Sequence, residues 1–189
     1  MYSEDVERAI RVALHAHDGQ TRKGSADPYV VHPIHIALVL TRHGAPDHVV
    51  QAGLLHDVVE DCDGWDVERI EAEFGAEVAE IVAELTEDKT RSWEERKRAG
   101  IEKVATMSAD AATVKAADKL HNLSSMVRDL ARSESPDAFW SHFNGGRDRT
   151  LSMARELVEA LAPRVGEDLA RSLRATVDML ASIDRERRA

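Results

Sequence analysis

With a single cysteine, Cys62, the chain can close no internal disulfide, and a lone thiol fits a reducing compartment. Aromatic residues make up only 4% of it, so Leu, Ile, Val and Ala must build most of the core. No basic-then-apolar segment opens the sequence. No stretch approaches the roughly 18 uninterrupted apolar residues of a membrane-spanning helix. A cytoplasmic chain with no membrane phase is the expectation. Positive charge is also scarce: 25 Lys and Arg against 35 Asp and Glu give a formal net charge of -10. Extended nucleic-acid surfaces are basic, so such a partner is not expected. A small anion held in a local basic pocket remains compatible with the same charge.

The 189 residues, 43% hydrophobic and 32% charged, suit one globular core, so 1–189 is read as a single domain. Alternating strand patterns and internal repeats are missing, whereas helical spacing recurs. Val6, Ile10, Ala13 and Leu14 predict a helix over 4–17, capped by Ser3. His32-Pro33 opens a second helix running to about Leu40, with proline suited to its first position. A continuous helical pattern from about Val49 reaches past His56, with Val50, Leu54, Val58 and Val59 as packing positions. Helices then follow from near Asp66 to Gly75 and over Val78–Leu85. Ser92 and Glu95 form a capping box at the start of the next. A close-packed helix surrounds Val114–Leu123, and two longer ones lie near 150–161 and 168–183. The end, 184–189, is expected to fray. Phe139, Trp140 and Phe143 are read as core padding, with closure over a ligand or contact with a partner as alternatives.

The most informative stretch is His56-Asp57-Val58-Val59-Glu60-Asp61. Residues four apart share a helix face, so His56 aligns with Glu60 and Asp57 with Asp61. Grouped carboxylates on a largely apolar helix repel one another and need a positive partner. Four further polar residues have two readings each. His32 is a cap or packing residue, or a ligand on a constrained helix start. Asp118 is a surface partner of Lys115 or Lys119, or a ligand delivered from another helix. Arg22 and Lys23 form a solvated loop pair or hold phosphate oxygens. Taken together, His32, His56, Asp57 and Asp118 make an N/O donor set without thiolate, which suits Mn, Fe or another divalent metal better than structural zinc. Glu60 and Asp61 are then left to orient or deprotonate water.

Four segments in order carry a family resemblance: Ala16-His17-Asp18-Gly19-Gln20-Thr21-Arg22-Lys23, Pro28-Tyr29-Val30-Val31-His32-Pro33, His56–Asp61, and Ala117-Asp118-Lys119-Leu120-His121-Asn122-Leu123. Over roughly residues 4–160 the chain resembles the HD-type hydrolase domain of the RelA/SpoT homologues, in particular the single-domain small alarmone hydrolases. The resemblance implies an all-α, HD-superfamily helical bundle with a buried divalent-metal site. It implies removal of pyrophosphate from the ribose 3′ position of ppGpp or pppGpp, with Mn²⁺ as cofactor. His32, His56, Asp57 and Asp118 become the metal ligands, and Glu60 and Asp61 the catalytic pair acting on water and leaving group. Arg22, Lys23, Thr86, Lys89 and Asn122 fall at positions that meet the nucleotide. Ser124 stands where many members carry arginine. The alternatives are another HD-type nucleotidase or phosphodiesterase, including one for an adenine alarmone, and a non-catalytic nucleotide- or partner-binding protein.

Overall fold

A computed structural model describes residues 2–22 and 26–188, and Lys23 lies outside the described residues. Eleven α-helices are present among them: α1 Glu4–Ala16, α2 Val31–Arg42, α3 Asp47–Leu55, α4 Val58–Asp61, α5 Val67–Phe74, α6 Ala76–Leu85, α7 Trp93–Lys103, α8 Ala109–Arg132, α9 Pro136–Trp140, α10 Gly146–Leu161 and α11 Glu167–Arg188, with one 3-10 turn at Ala162–Arg164. The all-α expectation is met. Pairing of strand type among the described residues is limited to one antiparallel bridge, Thr21 with Pro28.

The chain divides into two compact units. The first runs from α1 to Glu87 and includes Ser108–Asp118. Its core is drawn from α2, α3 and α5, with Ile36, Leu40, Leu54, Leu55 and Ile70 fully buried. Each such side chain contributes about 1.5–3 kcal/mol through its removal from water. Ser3 caps α1 as expected, accepting the Val6 amide at 3.4 Å. Glycine is needed at Gly53, where a Cβ would lie 2.4 Å from Leu40 Cδ1 and 3.2 Å from Ile36 Cγ2. Hydrogen in place of a side chain lets α2 and α3 approach closely.

The second unit comprises Asp88–Met107 and the chain from Lys119 onward. Leu123, Leu130, Leu161, Leu169, Leu173 and Leu180 form its buried centre. The Ser92–Glu95 capping box opens α7 with both reciprocal bonds present. Phe139 and Trp140 are buried, with Phe139 4.8 Å from Trp140 and 5.0 Å from Phe143 between ring centroids, so padding is their role.

Three of the departures from the sequence pattern bear on packing or the site. Helix α2 begins at Val31, which makes Pro33 its third residue; its missing N–H still falls among amides that have no intrahelical partner. The continuous helix through His56 is two helices, because α3 stops at Leu55 and α4 starts at Val58. The expected fraying of 184–189 does not extend to Arg188. Helix α11 reaches that residue, and Asp184 is wholly buried, accepting from Trp140 Nε1 and Arg147 Nε at 2.6 Å each.

Candidate metal centre

The helix break creates the site. In a continuing helix the Gly53 carbonyl would accept the Asp57 amide, but it accepts the His56 Nδ1–H at 2.9 Å. A carbonyl oxygen can only accept, so the His56 proton sits on Nδ1 and Nε2 is turned toward the cluster. A hydrogen bond from the far ring nitrogen is what orients a metal-ligating imidazole. His32 reaches the same place from the first turn of α2. Asp118 arrives on α8, whose start is tied down within the first unit. There the Ser108 amide donates to Glu84 at 2.8 Å, and His48 Nε2 lies 3.1 Å from Asp110. Ala111, Ala112, Val114, Ala116 and Ala117 are buried along this helix, and their small volumes allow a close seat.

One donor atom each from His32, His56 and Asp118 lie within 4.8 Å of one another. His32 Nε2 is 3.2 Å from Asp118 Oδ1, and His32 and His56 are buried. Asp57 stands beside this trio, close to both imidazoles. Its Oδ2 lies 3.0 Å from His56 Nε2 and 3.6 Å from His32 Nε2, and it also accepts the Tyr29 hydroxyl. Burial pulls the His56 pKa down, yet the charge and hydrogen bond of Asp57 and the charge of Asp118 outweigh it, raising it to about 9. Burial would lift the Asp57 carboxyl, but His56 holds it down to about 2. Asp118 likewise resists burial and stays well below the ordinary carboxylate range through the hydrogen bond and charge of His32. The cluster therefore favours positive charge between two imidazoles and two carboxylates. A divalent cation answers that demand, and the N/O donor set fits one.

The family pattern of the HD domain matches residues 9–142. This chain belongs to the HD-domain family. Within it, the chain is 47% identical over 127 residues to the mouse guanosine-3′,5′-bis(diphosphate) 3′-pyrophosphohydrolase MESH1, covering 66% of this chain and 68% of that protein. The human MESH1 enzyme is 44% identical over 137 residues, covering 71% and 73%. Among solved structures, a metazoan orthologue of SpoT that hydrolyses ppGpp superposes with a TM-score of 0.77 at 33% identity, over 99% of this chain and 97% of that one. A Listeria monocytogenes protein superposes with a TM-score of 0.70 at 35% identity, covering 82% and 99%.

The remaining HD-domain positions fall as follows. Glu60 is half-buried and accepts the Glu87 amide at 3.2 Å. Burial pushes its carboxyl up; the Glu87 amide opposes this, and the charges of Asp57, Glu87 and Asp61 add to it. Asp61 is exposed, and its main-chain oxygen accepts Gln20 Nε2 at 2.9 Å. Arg22 places its guanidinium 5.8 Å from the Tyr29 ring centre. Thr86 ends α6 and donates its hydroxyl to Val82 O at 2.9 Å. Lys89 is exposed in the second unit, where half-buried Asn122 also lies, four residues after Asp118 along α8. Ser124 turns its hydroxyl to Leu120 O at 2.7 Å.

Tyr29, Gln20, Gly53 and the Glu87 amide were not among the residues singled out by their chemistry. Tyr29 and Gln20 stand inside the motif segments, which was the available signal. Gly53 and the Glu87 amide act through main-chain atoms, and residue type does not announce those.

Proposed function

We propose that this chain hydrolyses ppGpp or pppGpp at the ribose 3′ position, leaving GDP or GTP and releasing pyrophosphate, with Mn²⁺ as its cofactor. The observation that carries the reading is the His32–His56–Asp118 trio, its two imidazoles buried, in a chain 47% identical to a guanosine-bis(diphosphate) 3′-pyrophosphohydrolase. His32, His56 and Asp118 would hold the cation, with Asp57 as the fourth ligand. Bound there, a divalent cation supplies Lewis-acid polarisation of phosphoryl oxygens and makes water a better nucleophile.

The protein's own residues divide the remaining work. Water adds its oxygen to the ribose-linked phosphorus as the bond to the 3′ oxygen breaks. One proton must leave the water and one must reach the 3′ oxygen. Glu60 and Asp61 share these transfers, and burial raises the Glu60 carboxyl, which favours its holding a proton. Arg22 supplies a planar donor face for base or phosphate and Lys23 a point charge. Thr86, Lys89 and Asn122 complete the proposed nucleotide contacts. The family match over residues 9–142 draws on both compact units, which supports reading 1–189 as one hydrolase domain. Among the described residues no helix is long and apolar enough to cross a membrane. A small-molecule nucleotide partner and a cytoplasmic location belong to the same proposal.

The test is product analysis on guanine and adenine nucleotides carrying a 3′-diphosphate, with Mn²⁺ present. GDP plus intact pyrophosphate from ppGpp is the expected result. Glu60→Gln and Asp61→Asn should each keep the fold and lose on the order of 100-fold in kcat. Rapid turnover of an adenine nucleotide alone, or release of two orthophosphates, overturns the assignment.

A further inference from the structure

Helix α4 has only four residues, too few to hold its own shape. Yet it carries both proposed catalytic carboxylates. Its last carbonyl, that of Asp61, lies where helix oxygens lack an intrahelical acceptor role. Gln20 Nε2 donates to that oxygen at 2.9 Å across 41 residues of sequence. The other end of the same amide, Oε1, faces His17 Nδ1 at 2.8 Å. Donor chemistry settles the amide's orientation, because a peptide oxygen only accepts and so must face the Gln20 nitrogen. Oε1 also only accepts, which puts the His17 proton on Nδ1. His17 is 3% exposed and its Nε2 is buried without a hydrogen-bond partner, while Cys62 Sγ lies 3.4 Å from the same Nδ1, farther than the Gln20 oxygen.

The brace has a second arm. The His17 ring packs against Tyr29 at 4.7 Å between centroids, and the Gln20 carbonyl accepts the Tyr29 amide at 2.9 Å. Tyr29 in turn donates its hydroxyl to Asp57. One short segment thus holds the Asp57 carboxylate at one end of the turn and the Asp61 peptide at the other. Within that turn the Asp61 amide donates to the Asp57 carbonyl at 2.8 Å.

We infer that Gln20, its amide oriented by His17, is a positioning residue that fixes the direction of the Asp61 carboxylate for the hydrolytic step. What Asp61 does rests on the hydrolase reading above; the brace itself does not. Two variants separate its halves. Gln20→Glu keeps the acceptor for His17 and removes the donor for the Asp61 oxygen. Gln20→Met keeps the length and removes both.

Each variant should bind Mn²⁺ alone with wild-type affinity by calorimetry and melt near the wild-type temperature. Turnover of ppGpp should lose about 10- to 100-fold in kcat with KM within about twofold of wild type, the pattern of lost alignment rather than lost binding. Amide hydrogen exchange over 58–62 should accelerate in both. The ¹⁵N shifts of His17 should report the Nδ1–H tautomer in wild type and in Gln20→Glu, and a mixture in Gln20→Met.

Unchanged kcat and exchange in both variants overturns the inference. So does a parallel fall of metal affinity, melting temperature and kcat, which marks plain structural support. A variant that does not fold leaves the other to decide. Should wild type turn over none of the 3′-diphosphorylated nucleotides while exchange and tautomer respond as stated, the hydrolase reading fails and the brace stands.

Discussion

The hydroxyl of Tyr29 shows how a neutral residue can serve a charged centre. Burial, and then the nearby Asp57 charge, drive its ionisation far above the ordinary phenol range, so it stays a donor. Asp57 is thereby held between a phenol and the His56 imidazole. Tyr29→Phe should weaken Mn²⁺ affinity about tenfold, the scale of outer-shell changes at metal sites. Its cost in stability should be about 1 kcal/mol, the net worth of one hydrogen bond. Metal titration and denaturant melts measure the two, and unaltered affinity would remove Tyr29 from the support of Asp57. At this scale the imidazoles and carboxylates were legible, because such groups are rare on apolar helices and need a reason to be there. Tyr29 and Gln20 were less so. Their bonds to Asp57 and Asp61 span 28 and 41 residues, and no local spacing encodes them.

Between elements, the approach of α2 to α3 at Gly53 governs the centre twice. Its missing side chain admits Leu40, and its carbonyl orients His56. Gly53→Ala should therefore cost about 1–3 kcal/mol by overpacking, since Leu40 is fully buried and has little room to move. Metal affinity should fall with it. An Ala variant of full stability and affinity would show that the helices yield more easily than their packing suggests. In the second unit, α11 is secured by Asp184. Burial alone would raise this carboxyl, but hydrogen bonds from Arg147, Trp140 and Arg188 hold it below the ordinary range. A carboxylate depressed in the folded state stabilises above its unfolded pKa, and that contribution fades as pH falls through the lower folded value. Asp184→Asn should thus cost about 3 kcal/mol near neutral pH, as for a broken buried pair. Its gap from wild type should narrow below pH ~4, near the unfolded carboxylate value. Denaturant melts at the two pH values give the comparison, and an equal gap at both assigns the effect to packing. The helix spacing in the sequence predicted the elements here but continued past Leu55 and frayed after Ile183. Periodicity counts apolar positions, and it registers neither an imidazole folding back on a carbonyl nor a buried ion pair.

For the whole molecule, binding of a metal at this centre is coupled to folding. Carboxylates gathered at the centre lose a repulsion when a dication enters, and a ligand that prefers the folded state stabilises it. Adding Mn²⁺ to chelator-treated protein, to a free concentration of about 100 times its Kd, should raise the unfolding free energy by about 2.7 kcal/mol. The melting temperature should then climb with metal concentration, and His56→Ala should abolish the climb. A rise that persists in that variant would mean the ion stabilises from elsewhere. Composition and periodicity determined by themselves that the chain is helical, and four ordered motifs determined its family and named the candidate side chains. Only the tertiary structure decided which of these meet. It joined His32, His56 and Asp118 from three helical segments and set Asp57 beside both imidazoles, where it accepts the Tyr29 hydroxyl. The reason is range. Spacing in a sequence specifies geometry over a turn or two, whereas the distance between helices is set by what packs between them, here a glycine beneath Leu40.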